Sequence, residues 1–157
     1  MMRRVAVAIL LAGLVSVPAH RAHAQAAAGK WQVQIGEWAS DVGGGVIQMR
    51  MGNTADLTVS ANGDSVVAIF QPATTGGTVR ADTLRGQIVD GKLKVSGSRR
   101  LTARVNRNGE ESSSEATSTI TIDLGPAGET LTGTIRLELP GGMNVHAPLT
   151  ARRTQPD

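Results

Sequence analysis

Gly29-Lys30-Trp31-Gln32-Val33-Gln34-Ile35 sets apolar side chains at 31, 33 and 35 and polar ones at 30, 32 and 34. A period of two belongs to an extended strand, whose successive side chains leave opposite faces. Trp31, Val33 and Ile35 therefore share a face turned toward a core, and the two glutamines meet water. The same alternation returns down the chain. Leu101, Ala103 and Val105 alternate with Thr102 and Arg104, Ile120, Ile122 and Leu124 alternate with Thr121 and Asp123, and Leu131, Ile135, Leu137 and Leu139 share one parity. Between such runs stand the residues that reverse a chain: Asn62-Gly63, Asp90-Gly91, Asn108-Gly109, Gly125-Pro126 and Pro140-Gly141-Gly142. Asn-Gly and Asp-Gly favour two-residue hairpins because both central positions there take positive φ. Sustained helical periodicity is absent after the first two dozen residues, so the expected class is all-β, an antiparallel meander. A sheet of about eight strands with one apolar face closes on itself or folds over, which also removes its edges. Closure into a single barrel is the expectation.

A weak internal repeat fits that closure. Asp64-Ser65-Val66-Val67-Ala68-Ile69-Phe70, Asp82-Thr83-Leu84-Arg85-Gly86-Gln87-Ile88 and Glu129-Thr130-Leu131-Thr132-Gly133-Thr134-Ile135 each run acid, hydroxyl, apolar, any, small, any, apolar. The third, fifth and seventh places face one side. A Gly or Ala amid an inward stripe lets the strand bend sharply or lets another side chain pass over it.

The start of the chain carries an address. Arg3 and Arg4 precede an apolar run from Val5 to Val17, and Ala22-His23-Ala24 comes next. This is the pattern of a secretory signal peptide over residues 1–24, cut after Ala24, and it implies a periplasmic or secreted product. Residues 25–157 then form one β-barrel domain, a length that suits a single core. The arginine pair is shared with the folded-protein export route, but general secretion is the expected path. The leader holds three of the sixteen Lys and Arg and none of the thirteen acids, so the remainder is balanced at thirteen of each. The high isoelectric point is thus no argument for nucleic acid. No cysteine occurs, which excludes disulfides and thiolate metal sites. No later segment approaches the roughly 18 apolar residues of a membrane helix, so the product is not expected to span a membrane that way. Trp31, Trp38 and Phe70 are too few for the aromatic girdles of an outer-membrane barrel.

The groups that catalysis needs are scarce. His146 is the one histidine after the leader, and its parity with Asn144 and Pro148 sets it on the outer face. No Gly-x-Ser-x-Gly elbow presents a nucleophile. Glu37, Asp41, Asp56 and Glu138 are the acids available for a carboxylate pair, without the aromatic walls of a sugar site. Glu110-Glu111 with Glu115 lacks the spacing of a calcium loop and reads as a solvated hairpin tip. Arg99, Arg100, Arg104 and Arg107 lack the interleaved aromatics that stack bases, and Gly43-Gly44-Gly45 lacks the Lys-Ser/Thr of a phosphate loop. No catalytic residue, metal or cofactor is assigned.

Gly29-Lys30-Trp31 before the first alternating run, with Arg152-Arg153 closing the last, resembles the structural signature of the calycins, the lipocalin-like small β-barrels. The resemblance implies a lipocalin-like barrel of about eight strands in which Trp31 plugs one end and Arg152 or Arg153 covers the indole by a cation–π contact. It also implies an interior lined by Val33, Ile35, Val66, Phe70, Leu84, Ile88, Leu131, Ile135 and Leu149, able to take a small apolar or amphipathic ligand. Where those side chains meet in the middle instead, the implied role is a solid-packed module that touches another envelope protein through its exposed strands and the Arg99 to Arg107 stretch.

Overall fold

The computed structural model describes residues 26–41, 46–47, 52–73, 80–107 and 110–154. Its strands are β1 (Gly29–Ile35), β2 (Trp38–Ser40), β3 (Val46–Ile47), β4 (Thr54–Asn62), β5 (Ser65–Pro72), β6 (Asp82–Val89), β7 (Lys92–Arg107), β8 (Glu110–Ala127), β9 (Thr130–Leu139) and β10 (Met143–Arg153). Each pairs antiparallel with the next around a sheet ordered β1-β4-β5-β6-β7-β8-β9-β10. β10 then returns to β1, from Trp31 opposite Arg153 to Ile35 opposite Leu149. The result is a closed eight-stranded barrel, compatible with a calycin-like one, with β2 and β3 continuing outside it along the first part of β10.

Where side-chain burial is described, strand parity is as the alternation requires, while the side chains of Leu101, Ala103 and Val105 lie outside the described ones. In β1 Trp31, Val33 and Ile35 are buried and Lys30, Gln32 and Gln34 exposed, and in β10 Val145, Ala147, Leu149 and Ala151 are buried while His146 is half exposed. The turns divide. Asp90 and Gly91 both take positive φ, 51° and 75°, as a two-residue hairpin of the expected kind demands. Gly141 and Gly142 likewise reverse the chain between β9 and β10.

At Asn62-Gly63 the pairing of Asn62 with Ser65 moves the reversal one residue on, to Gly63-Asp64, where only Gly63 has positive φ. Gly125-Pro126 is not a turn. It lies within β8 opposite Thr132 and Leu131, and the reversal falls after Ala127, at Gly128. β8 has run past its last register partner on β7 by then, and proline is tolerated where no neighbour asks for its missing N–H. Asn108-Gly109 lies outside the described residues.

A bulge comes after β1. Ile35 faces Leu149 and Ala39 faces His146, so three residues, Gly36 to Trp38, oppose Pro148 and Ala147. The Gly36 N–H donates to the Pro148 carbonyl at 2.9 Å. A Cβ on Gly36 would sit 2.6 Å from Pro148 Cγ, which is why the extra residue is glycine. One inserted residue inverts the parity of the strand beyond it. Trp38, on even count, thereby enters the core, 6% exposed.

Among the described residues the interior side chains are close-packed. Taking one side chain per barrel strand, Val33, Leu57, Phe70, Leu84, Leu93, Ile122, Ile135 and Ala147 are all 0–1% accessible. The small residues of the repeat have a definite reason at Gly86 and Gly133. A Cβ at either would collide with a carbonyl oxygen of a neighbouring strand, of Lys94 on β7 and Asp123 on β8 respectively, so backbone, rather than a passing side chain, occupies the space.

Candidate functional site

One end of the barrel is closed by Trp31. Its indole is 4% exposed, and its N–H donates to the Ala27 carbonyl at 2.9 Å. Arg153 lies over the ring with its guanidinium carbon 4.6 Å from the centroid. That same guanidinium donates to the carbonyls of Ala28 at 3.0 Å and Ala26 at 2.5 Å. Of the two closing arginines it is therefore Arg153 that covers the indole, while Arg152, one parity over, stands exposed on the outer wall opposite Gln32. Gly29 owes its identity to this cover, because its φ is +131° and a Cβ there would come 2.8 Å from Arg153 Nη1. Beside the plug a pocket of about 210 Å³ is lined by Ala26, Ala27, Trp31, Pro126, Leu131 and Arg153, among others.

The nine side chains expected to line the lumen all lie inside it. Val33, Ile35, Val66 and Leu149 are 1–2% accessible, Phe70, Leu84 and Ile135 0%, and Ile88 and Leu131 8%. A side chain that a water-sized sphere cannot touch borders no open cavity. For the seven at 0–2% the neighbour is another buried apolar side chain, as in any close-packed core, whereas Leu131 also borders the pocket beside the plug.

Polar chemistry gathers in two other places. At the end opposite Trp31, Arg99 Nη1 donates to Asp82 Oδ2 at 3.3 Å. Burial pushes the Asp82 carboxyl above its ordinary range, and the Arg99 charge opposes this without overcoming it. Arg99 Nε and Ser118 Oγ are buried there without hydrogen-bond partners among the described residues. On the outer wall His146 Nδ1 lies 2.7 Å from Asp41 Oδ1, a contact off the geometry of an in-line hydrogen bond.

The remaining candidate acids stay apart. Asp56 faces Gln32 and Gln71, and Glu138 faces Thr119 and Asn144. Among the described residues no three His, Asp or Glu side chains gather to hold a metal, and no helix is long and apolar enough to cross a membrane.

Two of these placements escape strand-parity reasoning, Trp38 in the core and Asp41 against His146. Both result from the bulge, and its signal was present: apolar residues at 31, 33 and 35, then one at 38, with a glycine between.

No protein-family model matches the chain, and no curated protein matches it. Among solved structures, the monomer form of the M. tuberculosis PknI sensor domain is similar in fold. It shares 14% identity over 81% of this chain and 86% of that one, at a TM-score of 0.48. The architecture above rests on this chain's own register.

Proposed function

We propose that the chain is an extracytoplasmic binding module whose barrel is a packed scaffold and whose contacts are made by its outer surface. In this reading residues 1–24 are a cleaved leader and 25–157 the working domain, periplasmic or secreted. The observation that carries it is the interior, where one side chain from each of the eight strands is at most 1% accessible. Ligand pockets run to roughly 300–1,000 Å³ and need wall atoms that a ligand can touch. A ligand in the lumen would have to part Phe70, Leu84 and Ile135, which meet no solvent at all.

The test uses the full chain expressed with its own leader and purified without detergent. Organic extraction and mass spectrometry are expected to yield no stoichiometric lipid, and N-phenyl-1-naphthylamine is expected to gain no fluorescence on titration. One equivalent of a bound amphiphile would overturn the reading in favour of a carrier lined by Val33, Ile35, Val66, Phe70, Leu84, Ile88, Leu131, Ile135 and Leu149. Amino-terminal sequencing of the same preparation is expected to begin at Gln25.

A further inference from the structure

We propose that the outer wall of β6, β7 and β8 carries a binding groove for a carboxylate-bearing polysaccharide. Register lays out the wall. Arg85 on β6 stands opposite Ser96 on β7, and Ser96 stands opposite Thr121 on β8. Two residues along each strand, Gln87 faces Lys94 and Lys94 faces Asp123. These side chains leave the outer face, because their strand neighbours Leu84, Ile88, Val95 and Ile122 are buried in the core. Between them runs a shallow groove of about 330 Å³, lined by Arg85, Gln87, Lys94, Ser96 and Thr121, with Gly86 adding bare backbone. Its volume falls within the roughly 300–1,000 Å³ of ligand sites.

The lining selects the ligand by charge. Both ionised groups in the groove are cations, and the other side chains named offer an amide and two hydroxyls. Arg85 and Lys94 are diagonal neighbours across the strand pair, roughly 7–8 Å apart, so two long side chains can converge on one anion. Arg85 makes no ion pair among the described residues, and Lys94 meets Asp123 only at 3.9 Å, with the two side chains 50% and 44% exposed. A pair of that kind is worth about 0–1 kcal/mol and gives way to a better anion. The surroundings carry the same sign. The outward side chains of β5, β6 and β7, as far as Arg100, include Arg85, Lys92, Lys94 and Arg100 and no acid.

The neutral groups say what bears the charge. No aromatic ring lines the groove, so neither a base nor a neutral sugar finds a stacking face. A bare phosphate would engage the two cations and leave Gln87, Ser96 and Thr121 without a partner. A sugar acid presents its carboxylate to Arg85 and Lys94 and its hydroxyls to the rest. Ser98 opposite Thr119 continues the hydroxylated wall past the groove, so a chain of such sugars meets hydrogen-bonding groups along its length.

The proposal rests on the outer surface as the face that makes contacts, yet the two fail separately, because a lipid found in the lumen would leave binding in the groove unchanged. Titration calorimetry of the full chain as exported with hexagalacturonate is expected to show saturable binding that weakens as salt is raised. A neutral galactose hexamer is expected to show none. Arg85→Glu and Lys94→Glu each set a like charge against the carboxylates, and each is expected to weaken binding about tenfold or more. Thr121→Val keeps both the charge and the shape of the wall, and is expected to lose several-fold through its hydroxyl. Arg152→Glu makes the same change of charge on the wall of β1 and β10 and is expected to bind as the wild type does. A wild type that ignores hexagalacturonate would overturn the proposal, as would unchanged affinity in Arg85→Glu and Lys94→Glu or an equal loss in Arg152→Glu. So would a wild type that sediments with phosphatidylglycerol vesicles through Arg85 and Lys94 while ignoring the sugar acid, since the groove would then belong to phosphate.

Discussion

At the scale of the residue, the plug end reads as a small set of mutually dependent choices. Trp31 closes the barrel, Arg153 covers the indole while tying down the carbonyls of Ala26 and Ala28, and Gly29 leaves room for the guanidinium. Arg153→Ala removes the cation–π contact and both hydrogen bonds, and is expected to cost about 1–2 kcal/mol in urea unfolding. Arg152→Ala, on the outer wall, is expected to stay within about 0.5 kcal/mol. Equal losses from the two would mean that the cover is not specific to Arg153.

Asp82 at the other end supplies a pH signature. Its folded carboxyl titrates above its usual 3.8, with desolvation as the larger cause. The folded form therefore holds the proton more tightly than the unfolded chain does. The stability linked to this group is fully present below pH 3.8 and is lost as pH rises through the raised folded value. Asp82→Asn removes the titrating carboxyl. Wild-type stability, measured relative to the variant by urea midpoints from pH 7 to 3, is expected to improve on acidification, and a flat or opposite difference would remove burial as the dominant influence.

At the scale of the element, two irregularities decide where side chains go. The bulge at Gly36 to Trp38 is the reason Trp38 points inward and Asp41 reaches His146. Alternation within a strand was legible because burial on one face imposes a period of two. An insertion that inverts the period is legible only as a break in it, and nothing in the residue types of Glu37 or Ala39 says which register comes next. The turns were legible where both positions need positive φ, as at Asp90-Gly91, and displaced where one suffices, as at Gly63 and Gly128.

The glycines inside strands were legible as positions, while their cause needed the neighbouring strand. Gly86→Ala and Gly133→Ala would drive a Cβ into the carbonyls of Lys94 and Asp123. Each is expected to destabilise by about 1–3 kcal/mol or more, the range of overpacking. Gly125→Ala meets only the flexible Lys92 side chain, at 3.4 Å, and serves as the control. Its thermal midpoint is expected to stay near that of the wild type, and a comparable loss there would show that intrinsic glycine effects, rather than close approach, govern these strands.

At the scale of the whole molecule, closure was predictable from one apolar face and a run of hairpins, since a barrel is a way to bury that face without leaving edges. Whether the barrel has an open middle was not, because Val, Leu, Ile and Phe line an open pocket and a packed one alike. The choice depends on how far the wall flattens, which is set by register across all eight strands at once. Packing makes the difference measurable through Phe70, the largest of the side chains with no accessible surface. In a filled interior Phe70→Ala leaves a cavity, and the expected loss is about 3–5 kcal/mol. An apolar cavity of that origin stays dry and takes up benzene or xenon. The variant is therefore expected to gain thermal stability when benzene is added, by mass action on the folded state, whereas the wild type is expected not to respond. A wild type that benzene stabilises as strongly as the variant would mean that the lumen already had room, and that the ring of Phe70 lines a pocket instead of filling it.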